Sequence, residues 1–336
     1  MIETTPVALT KKDFVSDQQV KWCPGCGDYS ILAALQTVFA KQGIPREMYA
    51  VISGIGCSSR FPYYMDTYGF HTIHGRAMAV ATGVKAANPD LQVWVVTGDG
   101  DGLSIGGNHT LHALRRNIDI KVVLFNNEIY GLTKGQFSPT SDLGLVTKTS
   151  PLGSIDKPLS PVTVALAAGA GFVARTVDND ARHLGATLEA AAKFKGTAFV
   201  EVLQNCVIFN DGAHKGFDAP DARKDHVVYL EDGKPLAYAD GAKGLFSSGF
   251  GIEPGDVTDA NRSQVLVHDV AEKSGALAWT LSQFDHPQTP VPLGIFRSIE
   301  RPAYHELMDG QIASAREAKG PGDLKKLLNA GITWDV

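Results

Sequence analysis

The chain has 336 residues, of which 44% are hydrophobic, and a formal net charge of −5 at pH 7. This apolar content is enough for a large buried core, so we expect one large domain with a smaller appendage. The mildly acidic charge gives no reason to expect a nucleic-acid partner. No apolar run approaches the roughly 18 residues of a membrane span, and the N-terminus lacks a signal-peptide core, so we expect a cytosolic protein.

The first ninety residues contain the first predicted helices and strands. Residues 1–20 are polar and without pattern, which predicts an N-terminal arm that orders only against a partner. A Gly/Pro-rich loop, WCPGCGDY, follows, and Asp28 at its end is a candidate N-cap for a helix. A strand is predicted over 49–53. The small-residue run AMAVATGVKAA, over 77–87, predicts a helix that packs closely on a sheet.

The stretch over 93–136 reads as strand, helix, strand. Its apolar, β-branched runs cover 93–97 and 120–125, with a helix-compatible segment between them. Each strand ends in polar residues, GDGDG from Gly98 and NNEIYG from Asn126. Ligands bind outside the carboxyl ends of parallel strands, so the two loops are expected to face one pocket. Their carboxylate, amide and carbonyl oxygens suit Mg²⁺ bound to a phosphate group.

Other interpretations of GDGDG are weaker. A calcium loop starting at Asp99 needs an oxygen ligand and a glutamate where the chain has Leu103 and Thr110. A dinucleotide fingerprint starting at Gly98 needs a third glycine at Leu103. A plain glycine-rich turn with solvated acids remains open for GDG alone, but the second polar loop at matched spacing disfavours it.

Beyond this unit, the loop over 138–160 is too long for a simple connection and is typical of a lid or a partner contact. Further elements follow in the order helix, strand, helix, strand, near residues 162–170, 172–177, 181–194 and 198–203. The alternation predicts an α/β fold with a doubly wound, mainly parallel sheet.

The remaining residues, 212–336, are interpreted as a C-terminal extension on the core or on a partner, which makes 21–211 the main domain. The segment over 212–251 is weakly patterned. A smaller unit is predicted after it, with a strand at 265–270, a helix at 276–284, a strand at 293–296 and a polar helical tail.

The four cysteines form the second candidate site. Cys23 and Cys26 form a CxxC, whereas Cys57 and Cys206 each follow a predicted strand. A reducing cytosol argues against disulfides, and strand ends of one parallel sheet share an edge, so the four thiolates are expected to converge. Four converging thiolates indicate zinc or an iron–sulfur cluster, and the residues alone leave both open.

The motifs together resemble a known family. GDG followed about thirty residues later by NN resembles the diphosphate–Mg²⁺ motif of thiamine diphosphate enzymes. The longer sequence resembles the β subunit of 2-oxoacid:ferredoxin oxidoreductases, most closely the 2-oxoglutarate type. The motifs that carry this resemblance are IGCSSRFPYY and HGRA before GDG, and NNEIYGLTKGQFSPTS after it. The resemblance covers about residues 22–211.

The resemblance implies a function. Such enzymes decarboxylate a 2-oxoacid on thiamine diphosphate, pass electrons through one 4Fe-4S cluster to ferredoxin and transfer the acyl group to coenzyme A. The expected product from 2-oxoglutarate is succinyl-CoA, and the reaction can run in reverse as a CO₂-fixing synthase. The four cysteines match the family's cluster ligands, which favours the cluster over zinc.

The resemblance also assigns site residues. The implied Mg²⁺ ligands are the side chains of Asp99 and Asn127 and the carbonyl of Ile129. The implied cofactor-contacting positions are Ile55, Gly56, Cys57, Ser58, His74, Gly98, Gly100, Asp101, Gly131 and Leu132. Two of these keep a second interpretation, since His74 is compatible with a structural histidine and Asp101 with an acid that holds the loop.

Substrate contacts are candidates only. Arg60, in SSRFPYY, and Lys134, in GLTKGQ, lie near cofactor-matching positions, together with Leu132. Arg60 suits the second carboxylate of 2-oxoglutarate, and pairing with Asp66 is the open alternative. Arg115, Arg116 and Lys121 are most simply solvated, although a basic patch there would guide acidic ferredoxin.

The family's activating glutamate is expected on another chain. This sequence has room for one thiamine diphosphate-binding domain, and the family carries the facing domain on a larger α subunit. We therefore expect activity only in an αβ pair, doubled to a heterotetramer. Three alternatives remain: a pyruvate or broad 2-oxoacid enzyme of the same family, a non-redox thiamine diphosphate enzyme, and a zinc-stabilised nucleotide-binding module.

Overall fold

A computed structural model describes residues 8–332 and residue 334. Its principal strands and helices follow the predicted alternation. The strands are β1 Tyr49–Ser53, β2 Tyr68–His71, β3 Gln92–Gly98, β4 Lys121–Asn126, β5 Ile129–Tyr130, β6 Gln136–Phe137, β7 Phe172–Val177, β8 Ala198–Leu203, β9 Val227–Leu230, β10 Ala237–Tyr238, β11 Lys243–Ser248, β12 Gly251–Asp256 and β13 Val291–Ser298. The helices are α1 Asp28–Gln42, α2 Phe61–Tyr64, α3 Ala77–Ala87, α4 Gly107–Arg116, α5 Pro161–Ala167, α6 Ala181–Lys193, α7 Lys215–Asp218, α8 Pro220–His226, α9 Ala276–Ser282, α10 Tyr304–Lys319 and α11 Leu324–Leu328.

The main sheet has eight strands in the order β2-β1-β3-β4-β8-β7-β13-β9. From β2 to β7 every neighbouring pair is parallel, and β13 runs antiparallel to β7. The central strands β3, β4 and β8 are almost entirely buried, which explains their continuous apolar runs. The predicted doubly wound, mainly parallel sheet is confirmed.

Helices cover both faces of this sheet. One core packs Val95, Val122 and Leu124 of the sheet against α3, α4, α5 and α9. The other packs Trp94 and Val123 against α1 and α6. Because the residues alternate between faces along each strand, Trp94 and Val95 enter different cores.

The expected boundary at Asp211 does not separate two folded units. β9 and β13 lie beyond it, yet both belong to the main sheet, so the extension supplies part of the core. The strand predicted over 265–270 is wrong, because that segment makes only an isolated bridge between Val267 and Pro235. A small antiparallel sheet, β10-β11-β12, lies earlier in the chain instead.

The N-terminal arm is only partly as expected. Residues 1–7 lie outside the described part of the chain. From residue 8 onward the arm packs on the core, because Phe14 is fully buried with its ring 5.6 Å from those of Phe39 and Tyr49. The expectation that residues 8–20 order only against a partner is therefore wrong.

Two side chains occupy different environments from those expected. Asp28 is the first residue of α1 rather than its N-cap, which is Gly27, and its carboxylate is buried without a hydrogen-bond partner. Lys121 is 4% exposed rather than solvated, and its ammonium donates to Asp119 at 2.7 Å.

Candidate active site

The two polar loops meet at the carboxyl edge of the sheet. β3 and β4 are parallel neighbours with Gly98 opposite Phe125, so the loops after them begin side by side. The first loop runs into a π-helical turn over 101–105 before α4 begins at Gly107. Such π turns are frequent at functional sites.

Asp99 is a buried carboxylate held by hydroxyl groups. It is 2% exposed, and its Oδ2 accepts hydrogen bonds from Ser138 at 2.5 Å and Thr140 at 2.6 Å. Burial raises the pKa of Asp99 to about 6, and the two hydroxyl groups oppose that rise. With Oδ2 fixed in this way, Oδ1 remains for a cation. Sequence motifs did not identify Ser138 or Thr140 as partners of this acid.

Asn127 and Ile129 lie in the second polar loop, which follows β4. The Asn127 amide donates from Nδ2 to Oε1 of Gln204 at 2.9 Å, and its Oδ1 accepts from the Ile129 backbone N–H at 3.2 Å. Between them, Glu128 has a positive φ of 59°, which turns the loop sharply. Hard oxygen atoms from both loops therefore reach the same edge of the sheet, as Mg²⁺ requires.

Asp101 connects three segments of the site. Its Oδ1 accepts from the backbone N–H of Ile55 at 3.0 Å and of Gly75 at 2.7 Å, and lies 2.6 Å from Nδ1 of His74. Its Oδ2 accepts from the Thr97 hydroxyl at 2.7 Å. Both oxygens are thus engaged by protein, which supports the interpretation of Asp101 as an acid that holds the loops.

A single cleft brings the predicted cofactor and metal residues together. Its lining comprises Asp28, Ile55, Gly56, Cys57, Ser58, His74, Gly98, Asp99, Gly100, Asp101, Phe125, Asn127, Ile129, Tyr130, Gly131, Leu132 and Thr133. Within it, Ser58 Oγ and both carboxylate oxygens of Asp28 are buried without hydrogen-bond partners in the described structure. Buried polar atoms normally have a hydrogen-bond partner, so these three atoms indicate that the cleft can hold a polar ligand.

Two of the four cysteines, Cys57 and Cys206, lie close to Gly131 in the wall of this cleft. A Cβ built on Gly131 would lie 3.5 Å from the sulfur atoms of both Cys57 and Cys206. Burial, followed by the charge of Asp28, raises the pKa of Cys57 to about 12, and Cys206 and Cys23 add to the rise. Burial also raises the pKa of Cys26, with further contributions from Asp28, Cys57 and Cys206. Cys57 therefore lies within electrostatic reach of Cys23, Cys26 and Cys206, and all four cysteines are free thiols.

The spacing of these thiols bears on the zinc alternative. Across residues 8–332 and 334, no three histidine, cysteine, aspartate or glutamate side chains are close enough to hold a single metal ion. A structural zinc needs four ligand atoms about 2.0–2.3 Å from one ion. The structure thus gives no support to a preformed zinc site.

The three candidate substrate residues differ in their relation to the cleft. Arg60 donates from Nε to the Tyr64 hydroxyl at 2.9 Å, and its charge opposes the rise in the pKa of Cys57. Asp66 pairs with Arg46 instead, so the proposed Arg60–Asp66 pair is wrong. Lys134 lies at a positive φ of 78° and is exposed. Arg60 and Lys134 are absent from the lining of the cleft, whereas Leu132 belongs to it.

A second cleft, of about 750 Å³, is lined in part by Pro24, Gly25 and Cys26 of the CPGC loop. It shares Cys26 with the cysteine cluster, but neither metal loop reaches it. The chemistry-bearing side chains line the narrower cleft at the sheet edge.

Comparisons with known proteins agree with this geometry. Residues 54–202 match the family described as thiamine pyrophosphate enzyme, C-terminal TPP binding domain. The 2-oxoglutarate oxidoreductase subunit KorB of Mycobacterium tuberculosis is 50% identical over 100% of this chain and 91% of its own length. The chain belongs to the β-subunit family of 2-oxoacid:ferredoxin oxidoreductases.

Two further proteins are similar to this chain at lower identity. A 2-oxoacid:ferredoxin oxidoreductase subunit beta of Aeropyrum pernix is 46% identical over 63% of this chain and 65% of its own. A solved 2-oxoglutarate:ferredoxin oxidoreductase from Magnetococcus marinus, with 2-oxoglutarate, coenzyme A and succinyl-CoA bound, has a TM-score of 0.75 and 33% identity. The structural match covers 97% of this chain and 97% of the Magnetococcus marinus chain.

The family resemblance inferred from the motifs is therefore confirmed, as are the α/β fold and the assignment to oxidoreductases. As a β subunit, the chain carries the thiamine diphosphate-binding domain of a multi-subunit enzyme. Among the helices within residues 8–332, none combines the length and apolar character needed to span a bilayer.

Proposed function

We propose that this chain is the β subunit of a 2-oxoglutarate:ferredoxin oxidoreductase that converts 2-oxoglutarate and coenzyme A to succinyl-CoA and CO₂. The observation that carries the proposal is the position of Gly131: it lines the cleft of the two metal loops and contacts the region between Cys57 and Cys206. A decarboxylation site and an electron outlet would thus share one wall.

The residues of the cleft fit Mg²⁺ and thiamine diphosphate. Asp99 offers a carboxylate oxygen, Asn127 an amide oxygen and Ile129 a backbone carbonyl, which is the hard donor set that Mg²⁺ takes beside a diphosphate. Gly98 and Gly100 line the same cleft, where they allow the backbone to approach a phosphate group closely. Bound thiamine diphosphate would supply the nucleophilic carbon for attack on the 2-oxoacid carbonyl.

The turn that contains Ile55, Gly56, Cys57 and Ser58 would meet the other end of the cofactor. Gly56 has a φ of 124° and no heavy atom within 4 Å of a built Cβ, so the backbone there faces open space. Trp22 Nε1 donates to the Cys57 carbonyl at 2.8 Å and fixes the turn. Asp101 in turn orients His74 at the cleft wall.

The four cysteines would ligate the 4Fe-4S cluster that the family resemblance implies. A cluster takes one thiolate at each corner, so its ligands are spaced more widely than those of a single ion. Burial raises the pKa of Cys26 and of Cys57, so binding of a cluster would displace a proton from each of these two thiols. Because the cluster would lie close to the cofactor cleft, it could accept electrons from the cofactor. It would then pass them to ferredoxin.

The substrate assignment is supported by relatives and by Arg60. The Mycobacterium tuberculosis relative is named for 2-oxoglutarate, and the Magnetococcus marinus structure holds it. Arg60 has no acidic partner among the ion pairs of the described residues, which leaves its guanidinium for the distal carboxylate of that acid. Lys134 and Leu132 would border the substrate or coenzyme A.

A second subunit completes the proposal. No glutamate lines the cleft within the described residues, although thiamine diphosphate needs one at its aminopyrimidine ring for activation. The α subunit would supply it, in an αβ pair that assembles as a heterotetramer and passes electrons to ferredoxin. The same site would serve CO₂ fixation when reduced ferredoxin drives the reaction backwards.

The test is a steady-state assay of the co-expressed αβ complex with 2-oxoglutarate, pyruvate and other 2-oxoacids. We expect coenzyme A-dependent reduction of ferredoxin with 2-oxoglutarate as the preferred acid, and a rise in its KM in Arg60→Met. A strong preference for pyruvate would reject the role of Arg60. Purified complex with zinc but neither iron nor thiamine diphosphate would reject the proposed function as a whole.

A further inference from the structure

Gln204 lies between the metal loop and the cysteine cluster. It follows the last residue of β8 and is 1% exposed. Its Oε1 accepts from Nδ2 of Asn127 at 2.9 Å, and its Nε2 lies 3.3 Å from Sγ of Cys26. One buried amide thus contacts a candidate Mg²⁺ ligand on one side and a candidate cluster ligand on the other.

The orientation of this amide follows from its third partner. Gln204 Nε2 is 2.6 Å from the backbone carbonyl of Asn205, which can only accept a hydrogen bond. The NH₂ group must therefore face Asn205 and Cys26. The amide oxygen then faces Asn127, and only the NH₂ group of Asn127 can donate to it.

Two consequences follow from this arrangement. Because Asn127 commits its NH₂ group to Gln204, its own amide oxygen is turned to the opposite side, where it accepts only the long 3.2 Å bond from Ile129 and keeps a lone pair for a cation. On the other side, Cys26 sulfur receives an N–H donor. Hydrogen bonds to the sulfur atoms of an iron–sulfur cluster stabilise its reduced, more negative state and so raise its reduction potential.

We propose that Gln204 is a positioning residue that presents the Asn127 oxygen to Mg²⁺ and raises the reduction potential of the cluster through its hydrogen bond to Cys26. The inference rests on the proposed function and deepens it, since one side chain sets both the cofactor site and the electron outlet. Partners that orient metal ligands typically change metal affinity by 10–100-fold when they are removed.

The test uses the αβ complex with Gln204→Met, Gln204→Glu and the control Gln36→Met. Gln36 is also a buried amide, 4% exposed, but its Nε2 donates to the carbonyls of Phe14 and Tyr64, away from both sites. Two quantities are measured anaerobically: the Mg²⁺ concentration needed for thiamine diphosphate binding in equilibrium dialysis, and the midpoint potential of the cluster in a redox titration followed by electron paramagnetic resonance.

We expect Gln204→Met to need about tenfold more Mg²⁺ and to shift the cluster to a more negative potential. Gln204→Glu keeps an acceptor for Asn127 but no donor for Cys26, so it should shift the potential while leaving the Mg²⁺ requirement nearly unchanged. Gln36→Met should change neither quantity.

Unchanged Mg²⁺ requirement and potential in both Gln204 variants would overturn the inference while leaving the proposed function intact. The same changes in Gln36→Met would also overturn it, because any lost buried amide would then suffice. A wild-type complex without an iron–sulfur signal and without Mg²⁺-dependent cofactor binding would instead remove the proposed function.

Discussion

At the scale of single residues, Asp101 organises the cleft. Its carboxylate accepts from two backbone N–H groups, those of Ile55 and Gly75, and from the Thr97 hydroxyl, and it contacts His74. These partners come from three separate segments of the chain. A carboxylate that satisfies buried donors on several loops fixes their relative positions.

We expect Asp101→Asn to weaken thiamine diphosphate binding by at least tenfold. The NH₂ group of the new asparagine would face hydrogen-bond donors, so at least one buried N–H would lose its acceptor at a cost of about 1–3 kcal/mol. Binding is measured by equilibrium dialysis at saturating Mg²⁺. Asp90→Asn, at an exposed position, is the control and should bind normally. Equal affinity in both variants would show that Asp101 is dispensable.

Part of the site was predictable from sequence at this scale. Asp99, Asn127, Cys57 and Cys206 each follow a strand, so their position at one edge follows from the topology of a parallel sheet. Thr140 and Gln204 could not be found in this way. They contact Asp99 and Asn127 across 41 and 77 residues of chain, and such contacts depend on the path of loops that carry no period.

At the scale of elements, a buried ion cluster ties α3 to β4. Asp119 lies 2.9 Å from the ammonium of Lys85 and 2.7 Å from that of Lys121, and both lysines are almost fully buried. Lys121 also donates to the carbonyls of Phe194 and Gly196. Burial alone would raise the pKa of Asp119, but Lys121 and Lys85 outweigh it and lower that pKa to about 2.

We expect Asp119→Asn to lower the free energy of unfolding at pH 7 by about 3–5 kcal/mol, since it leaves two buried ammonium groups without their counter-ion. Because the folded-state pKa is depressed below the unfolded value of about 3.9, the stabilisation is present above pH 4 and is lost as the pH falls through about 2. The gap between wild type and variant should therefore close over that window.

Urea titration followed by far-UV circular dichroism measures this difference. Asp259→Asn is a suitable control, because Asp259 belongs to an exposed pair with Arg262 and its loss should change stability little. A gap that stays constant between pH 7 and pH 2 would contradict the account of Asp119.

The elements that sequence predicted well are those with a continuous apolar signal. The strands over 49–53, 172–177 and 198–203 were predicted with the observed bounds because each is buried on both faces. β12 was missed, since GIEPGD contains glycine and proline, which ordinarily argue against a strand. The apolar run over 265–270 makes scattered backbone hydrogen bonds to several segments but forms no regular ladder with any of them. Its partners are Gly233, Lys234, Leu236, Leu245 and Ser298.

At the scale of the whole molecule, the long loop after β6 carries several exposed apolar side chains, which we call the apolar ridge. We define this ridge by its exposed side chains Leu143, Val146, Leu152 and Ile155. Leu152 is 99% and Ile155 91% exposed. The same loop begins with the hydroxyl groups that hold Asp99. A domain that closes over the cofactor would reach this ridge, which suits the proposed contact with the α subunit.

We expect the double substitution Leu152→Asp with Ile155→Asp to abolish or strongly weaken the αβ complex, because charges would replace apolar contacts at its interface. Co-purification and analytical ultracentrifugation measure the loss. Phe250→Asp is a matched control, since Phe250 is equally exposed but lies in the turn between β11 and β12. Intact assembly of the double variant would place the interface elsewhere.

The sheet order shows what local patterns could not supply. β13 pairs with β7 although more than a hundred residues of chain separate the two strands. β9 pairs with the other edge of β13 and ends the sheet. Such long-range pairing leaves no mark in the periodicity of either strand. The sequence division at Asp211 therefore followed the end of the recognisable motifs rather than the end of the folded unit.

The most direct test of the central claim, that the cofactor cleft and the four cysteines of this chain form one redox site, is electron paramagnetic resonance of the anaerobic αβ complex after addition of 2-oxoglutarate. We predict the signal of a reduced 4Fe-4S cluster in the wild type and its loss in Cys206→Ser. An undiminished signal in Cys206→Ser would contradict the account, because the cluster would then lie on another subunit.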